Sequence, residues 1–370
     1  MIGIIPRGLG WMPQLTKFSF RTADPGPALL FGGLVLVNIA VWAWTLATFA
    51  DRPAVMASAL LAWVFGLRHA VDADHIAAID NVVRKLMQAG DAPHSAGLYF
   101  ALGHSTIVLV ATALLAVGVV SLGGYSLLKE IGSLIGTSVS ALFLLVVATI
   151  NLTIFAGLWR TLRAMREHGV HDAAQLGALL AGRGPLTRLL GPMFRLVTKP
   201  WHMYPLGFLF GLGFDTATEI GLLGISATET ARGVSFAHVL VFPGLFAAGM
   251  ALVDTADSTL MASAYRWAFV DPTRKLWYNL TITGASVAVA LLIGGIEALG
   301  LVGDRLGLSS GLWATVDGLN DSLVNVGSAV VALFALAWLV SIVLYRRTFV
   351  DGARPPLTEP MECADGTEAA

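Results

Sequence analysis

Eight stretches of about 20 largely apolar residues, the length that crosses a hydrocarbon core at about 1.5 Å per residue, punctuate this chain and leave few folds open. They run roughly from Ala28 to Ala50, Ala54 to Val82, Ala96 to Leu122, Leu134 to Trp159, Tyr204 to Thr228, Phe236 to Phe269, Trp277 to Leu301 and Ser322 to Tyr345. Lipid cannot satisfy backbone hydrogen bonds, and the runs are too long and continuous for barrel strands, so each is expected to be a helix. Composition agrees. Charged residues make up 13% of the chain and hydrophobic ones 56%, whereas a soluble domain carries about 25% charged residues. The expected fold is an all-α polytopic membrane protein.

The placement of Lys and Arg sets the expected orientation. With the N-terminus inside, 18 of the 23 basic residues fall in inside segments, four (Arg52, Lys129, Arg232, Arg305) fall outside, and Arg68 lies within a span. The positive-inside rule then puts both termini in the cytoplasm. The expected organisation is a cytoplasmic segment at 1–27, a membrane domain at 28–345 with a cytoplasmic loop at about 160–203, and a cytoplasmic tail at 346–370. The first 27 residues show no apolar core before a small-residue cleavage site, so no removable signal peptide is expected. A net charge of -1 gives no field that would suggest nucleic acid. The single cysteine, Cys363, excludes an internal disulfide and multi-cysteine metal sites.

Ionisable side chains at membrane depth cost about 2.5 to 3.5 kcal/mol each on insertion scales, so a cluster of them is a functional signal. The second span carries one: Arg68, His69, Asp72, Asp74, His75, Asp80 and Asn81. On an unbroken helix His69, Asp72, His75 and Asp80 share an arc, with Asp74 on the far side. Successive pairs three residues apart can share a metal ion. His69 and His75 stand about 9 Å apart along an ideal axis and share one ion only where the helix bends or unwinds. Asp72 and Asp74 also suit the role of acceptors that fix the imidazole tautomers. The bland alternative is a buried ion-pair network around Arg68, for which two acids would suffice.

Other spans add matching residues. His104 lies in Leu102-Gly-His-Ser in the third; Asp215 and Glu219 lie one turn apart in Gly213-Phe-Asp-Thr-Ala-Thr-Glu in the fifth; Asp254 and Asp257 lie in Gly249-Met-Ala-Leu-Val-Asp-Thr-Ala-Asp-Ser in the sixth. Asn38 in the first is either functional or a helix-packing amide. His168 and His171 in the cytoplasmic loop, three apart, are either a metal-binding pair or solvated loop residues, and with Gly169 between them the solvated loop is the expected reading. Phe65-Gly-Leu before Asp72 is echoed by Phe210-Gly-Leu before Asp215, three helices on. An odd offset reverses orientation, so helices 2–4 and 5–7 are a possible inverted repeat with the polar site between them. Imidazole with carboxylate suits Ni2+, Co2+, Zn2+ and Cu2+.

These segments resemble the signatures of the nickel/cobalt transporter (NiCoT) family. His69-Ala-Val-Asp-Ala-Asp-His75 fits its His-x4-Asp-His motif, and the segments around His104, Glu219 and Asp254 resemble its other three; Ser258 stands where the last motif often has Gly. The resemblance implies eight spans, cytoplasmic termini, the bacterial cytoplasmic membrane and movement of Ni2+ or Co2+. It implies a metal motif of His69, Asp72, Asp74 and His75, with His104, Asp215, Glu219, Asp254 and Asp257 supporting. Asn38 and Val71 resemble positions tied to the choice between the two metals, Val71 leaning to nickel. No Walker A sequence is present, so a secondary carrier without a cofactor is expected. Its partners are then the divalent cation and the bilayer. Uptake is the expected direction, with efflux through the same site as the alternative. A membrane metalloenzyme would need a His-Glu-x-x-His helix or several histidine pairs, which the chain lacks. A metal-sensing receptor would bind without flux.

Overall fold

Pro27 and Pro53 open the first two helices, at a position where a missing N–H leaves no bond unmade. A computed structural model describes residues 26–117, 122–168, 197–213, 216–268 and 272–345. Among these residues the chain is helical throughout: α1 (Pro27–Phe49), α2 (Pro53–His69), α3 (Ala73–Gln88), α4 (Ala96–Ala116), α5 (Leu122–His168), α6 (Met203–Phe210), α7 (Ala217–Ala231), α8 (Phe236–Val239), α9 (Val241–Ala268), α10 (Pro272–Leu306) and α11 (Leu312–Tyr345). A single 3-10 turn, Pro200–His202, precedes α6. Asp215, His171 and most of the 160–203 loop lie outside the described residues, as do 1–25 and 346–370.

Five segments are long and apolar enough to cross a membrane: Pro27–Phe49, Ala96–Ala116, Ile131–Arg160, Phe236–Arg266 and Leu280–Leu306. A sixth is counted if α2 and α3, bent by 50° at their junction, form one span. This is a multi-pass membrane protein. The segment expected as the fifth span falls on α6 and α7, and the eighth on α11.

α9 is the hub, packed on α1, α2, α3 and α4, while α10 pairs with α5 and α11. α3 lies between the two groups, touching α4, α5, α9, α10 and α11. That position explains its sequence. It carries Asp74, His75, Asp80, Asn81, Arg84 and Lys85, yet nearly all its residues are buried in protein, the arrangement that tolerates ionisable groups at membrane depth. By contrast α1 turns Leu29, Leu36 and Ile39 outward, as a lipid-facing helix should.

Glycine allows the closest helix contacts. A Cβ on Gly66 would collide with the main-chain carbonyl of Phe246, and one on Gly97 with that of Asp254. Gly103 and Gly207 meet the carbonyls of Tyr204 and Phe100 in the same way. α2 and α4 therefore lie backbone to backbone with α9, and α4 with α6.

Candidate metal centre

Asp72 marks the end of the helical run that begins at Pro53. Ala70 and Val71 form a turn, with their N–H groups donating to Gly66 O and Arg68 O, and Asp72 takes an extended conformation as the N-cap of α3. The interruption changes the phase of everything after it. His69 ends α2 and His75 lies in the first turn of α3, and their rings come to 4.6 Å between centroids, whereas an unbroken helix would hold the residues about 9 Å apart along its axis.

His104 on α4 completes a cluster. Its ring lies 4.7 Å from His69 and 4.9 Å from His75, and one ring nitrogen of each histidine falls within 4.8 Å of the other two. Each is at most 3% exposed. Phe246 at 5.5 Å from His69 and Phe100 at 4.8 Å from His75 wall the cluster with apolar rings.

Carboxylates hold two of the imidazoles. Asp72 Oδ2 lies 2.9 Å from His69 Nδ1, and Asp254 Oδ1 lies 3.4 Å from His75 Nδ1. A carboxylate acceptor keeps the proton on Nδ1, which turns the lone pair of Nε2 inward and raises its basicity, as behind many metal-bound histidines. His75 Nε2 is buried without a partner among the described residues. His69 Nε2 lies 2.9 Å from His104 Nε2, which is also 2.9 Å from Glu219 Oε1. Two nitrogens bound at right angles on a metal, at about 2.0–2.1 Å each, stand about 2.9 Å apart. The donor set is thus imidazole nitrogen with carboxylate oxygen at the edge, the chemistry of a first-row divalent cation.

α7 enters through a local signal. Thr216 is its N-cap, accepting from Glu219 N and donating from Oγ1 to Glu219 Oε2 at 2.9 Å, and Thr-x-x-Glu is the spacing of a capping box. The cap aims Glu219 at His104, and Thr218 Oγ1 reaches His69 Nδ1 at 3.2 Å. The sequence reading does not include Thr216 or Thr218 in the site; the capping-box spacing is the signal that finds them.

Of the four motif residues, the structure brings His69 and His75 into the cluster and sets Asp72 behind His69. Asp74 sits half-buried in the first turn of α3, outside the cluster. His104, Glu219 and Asp254 join the histidines. Asp257 is one turn further along α9 with a buried Oδ2 that has no partner among the described residues. Val71 lies in the turn and packs on the α3 core. Asn38 does not touch the cluster: Nδ2 donates to Leu34 O and Ala248 O, and Oδ1 accepts from Trp63 Nε1 at 3.0 Å, tying α1 to α9 and α2. Asp80 is a correction. The shared arc assumed a continuous helix, and beyond the break Asp80 pairs with Arg84 instead.

A profile of the family described as high-affinity nickel-transport protein matches residues 55–344. The chain belongs to that family. Within it, a hydrogenase nickel incorporation protein, HupN, of Bradyrhizobium diazoefficiens is 77% identical over 94% of this chain and 92% of its own length. A high-affinity nickel transport protein of Cupriavidus necator is 51% identical, over 86% of this chain and 91% of that relative. The cobalt transport protein NhlF of Rhodococcus rhodochrous is 40% identical, over 86% and 92%. No solved structure matches. The family consists of nickel transporters rather than enzymes, with a cobalt transporter among the relatives.

Proposed function

We propose that this chain is a secondary transporter that brings Ni2+, and with it Co2+, into the bacterial cytoplasm through the eight-span fold expected from its sequence, both termini inside. The observation that carries the reading is the His69, His75 and His104 cluster at the α2–α3 break, backed by Asp72, Asp254 and Glu219. A hydrated ion entering between α2, α4, α7 and α9 exchanges water for the inward Nε2 lone pairs, and the surrounding carboxylates offset its charge. Inward movement of a dication gains about 4.6 kcal/mol per 100 mV, twice the single-charge figure. A relative named for nickel incorporation into hydrogenase fits the inward direction. Val71 leans toward nickel.

The inverted repeat of helices 2–4 and 5–7 belongs to this proposal. In support, both Phe-Gly-Leu segments lie at a helix end: α2 ends at His69, just past Phe65-Gly66-Leu67, and α6 ends within Phe210-Gly211-Leu212. Each following half-helix starts from an extended N-cap, Asp72 or Thr216. Paired broken helices around a midplane site are a recurrent transporter architecture.

Radiolabelled Ni2+ and Co2+ flux into energised cells, beside a His69→Ala variant, tests the proposal. Accumulation that falls to the empty-cell level in the variant is expected, and a variant that accumulates normally sinks it. Wild-type cells holding less metal than empty cells, with His69→Ala restoring the level, would make the protein an exporter built on the same site.

A further inference from the structure

The buried ion pair on α3 is complete: Asp80 accepts from Arg84 Nη2 at 3.2 Å, from Ser286 Oγ at 2.7 Å and from Tyr265 OH at 3.1 Å. Glu229, in the last turn of α7, is not. It is 1% exposed, and its Oε2 is shut from solvent with no partner among the described residues. Oε1 accepts from Arg232 Nη1 at 3.0 Å and from Ser58 Oγ on α2 at 3.4 Å. The Arg232 side chain is 61% exposed, so a guanidinium in contact with solvent closes over a carboxylate that is not.

The local fold explains the arginine but not the acid. Gly233 takes a φ of +84°, and the N–H groups of Gly233 and Val234 donate to Thr230 O and Glu229 O, the Schellman ending of a helix. Arg232 is therefore the C-cap of α7, where the helix dipole favours a cation with no acid beside it. The same dipole disfavours a carboxylate in that last turn, and burial with one oxygen unpaired costs more. Glu229 thus weakens the helix end that carries it, as residues retained for binding do.

The seam between α2 and α7 connects Glu229 to the histidines. The two helices run antiparallel and touch along their length: Ser58 Oγ meets Glu229, a Cβ on Gly221 would strike the Phe65 ring, and Thr218 Oγ1 lies 3.2 Å from His69 Nδ1. On α7 the face that presents Glu219 to the cluster continues through Leu222 and Ser226 to Glu229, ten residues or about 15 Å further on. Ser58, Ala62, Phe65 and His69 form the matching stripe of α2. An acid stands at each end of this seam. On the orientation expected from Lys and Arg, the Glu229 end is the outer one.

We propose that Glu229 is the outer reception site for the transported dication, with Ser58 Oγ as a neutral second ligand and Arg232 as the cation that occupies the carboxylate between ions. The proposal rests on the reading of the histidines as the cargo site and of transport as inward. An arriving hydrated ion binds the open Oε2 and displaces Arg232, whose side chain swings into solvent. Carboxylate and hydroxyl oxygens are hard ligands that suit many divalent cations. The outer site therefore gathers dications without choosing among them, and the choice falls to the imidazoles at the other end of the seam.

Initial rates of radiolabelled Ni2+ uptake against external concentration, in cells whose transporter level is measured by immunoblot, test this. Glu229→Gln is expected to raise KM by about 10-fold, the lower end of what an outer carboxylate contributes to a metal site, with a smaller effect on the saturating rate. Arg232→Gln is expected to act in the opposite sense and lower KM by up to about fivefold, the worth of a partly exposed ion pair. The double variant is expected to match Glu229→Gln, because no carboxylate is then left to uncover. A structural ion pair predicts the same sign for both single variants. An Arg232→Gln that raises KM or leaves it unchanged therefore overturns the proposal, as does a Glu229→Gln with the wild-type KM. Where Glu229→Gln does not reach the membrane, the exposed Arg232→Gln decides alone. Failure of the histidine reading shows differently, as uptake that survives His69→Ala, and failure of the inward direction as wild-type cells holding less metal than empty ones.

Discussion

The two buried assemblies on α3 are finished differently. Around the histidines, Asp72 Oδ1, His75 Nε2, His104 Nδ1 and Asp254 Oδ2 are buried without a partner among the described residues. Around Asp80, the side chains of Arg84, Asn81, Asn151, Tyr265, Thr283 and Ser286 form a closed set of hydrogen bonds. Protein interiors leave few polar atoms unpaired. Lone pairs left open on ligating atoms cost stability and are kept where something is to be bound, whereas a saturated network holds the fold together. The contrast separates a place that receives cargo from a place that holds helices.

The sharpest way to break that contrast is His75→Ala. Ni2+ binding measured by equilibrium dialysis should weaken by about 100-fold or more, beyond the 10–100-fold range for a supporting residue, while resistance to denaturation in detergent stays level or rises. Asp254→Asn should follow, with binding about 10–100-fold weaker, since the amide no longer fixes the His75 tautomer. Tyr265→Phe should do the reverse: a stability loss of about 1–3 kcal/mol from the donor taken from Asp80, read by chemical unfolding, with nickel affinity kept. If Tyr265→Phe instead weakened nickel binding as much as His75→Ala does, the two assemblies would be one site. Thr218→Val should give the smallest change, about 0.5–1.5 kcal/mol of nickel binding from one lost hydrogen bond to His69.

The sequence carries the spans and the second-span motif plainly, because apolar length and intramembrane charge are strong local signals. Three features are hidden for identifiable reasons. The break at Ala70–Asp72 contains neither Gly nor Pro, so nothing in the residue types announces it, and the motif reads as one continuous face. Without the break, His69 and His75 cannot meet, and Asp80 falls on their arc. Arg84 lies past the last apolar residue and reads as a loop charge, because burial by α5, α9 and α10 is a tertiary fact. Thr218 resembles any small polar residue in a membrane helix until the turn of α7 aims it at His69.

The glycine contacts tie α2, α4, α6 and α9 into one frame. Main chain resting on main chain has no side chain to turn aside, so α2, α4, α6 and α9 cannot slide past one another at Gly66, Gly97, Gly103 and Gly207 without separating. His69 closes α2 and His104 lies on α4, so two of the three imidazoles are carried by helices of that frame. The spacing of those two rings is then set by main chain resting on main chain, so a side chain placed at Gly66 or Gly97 would change the cluster without touching it.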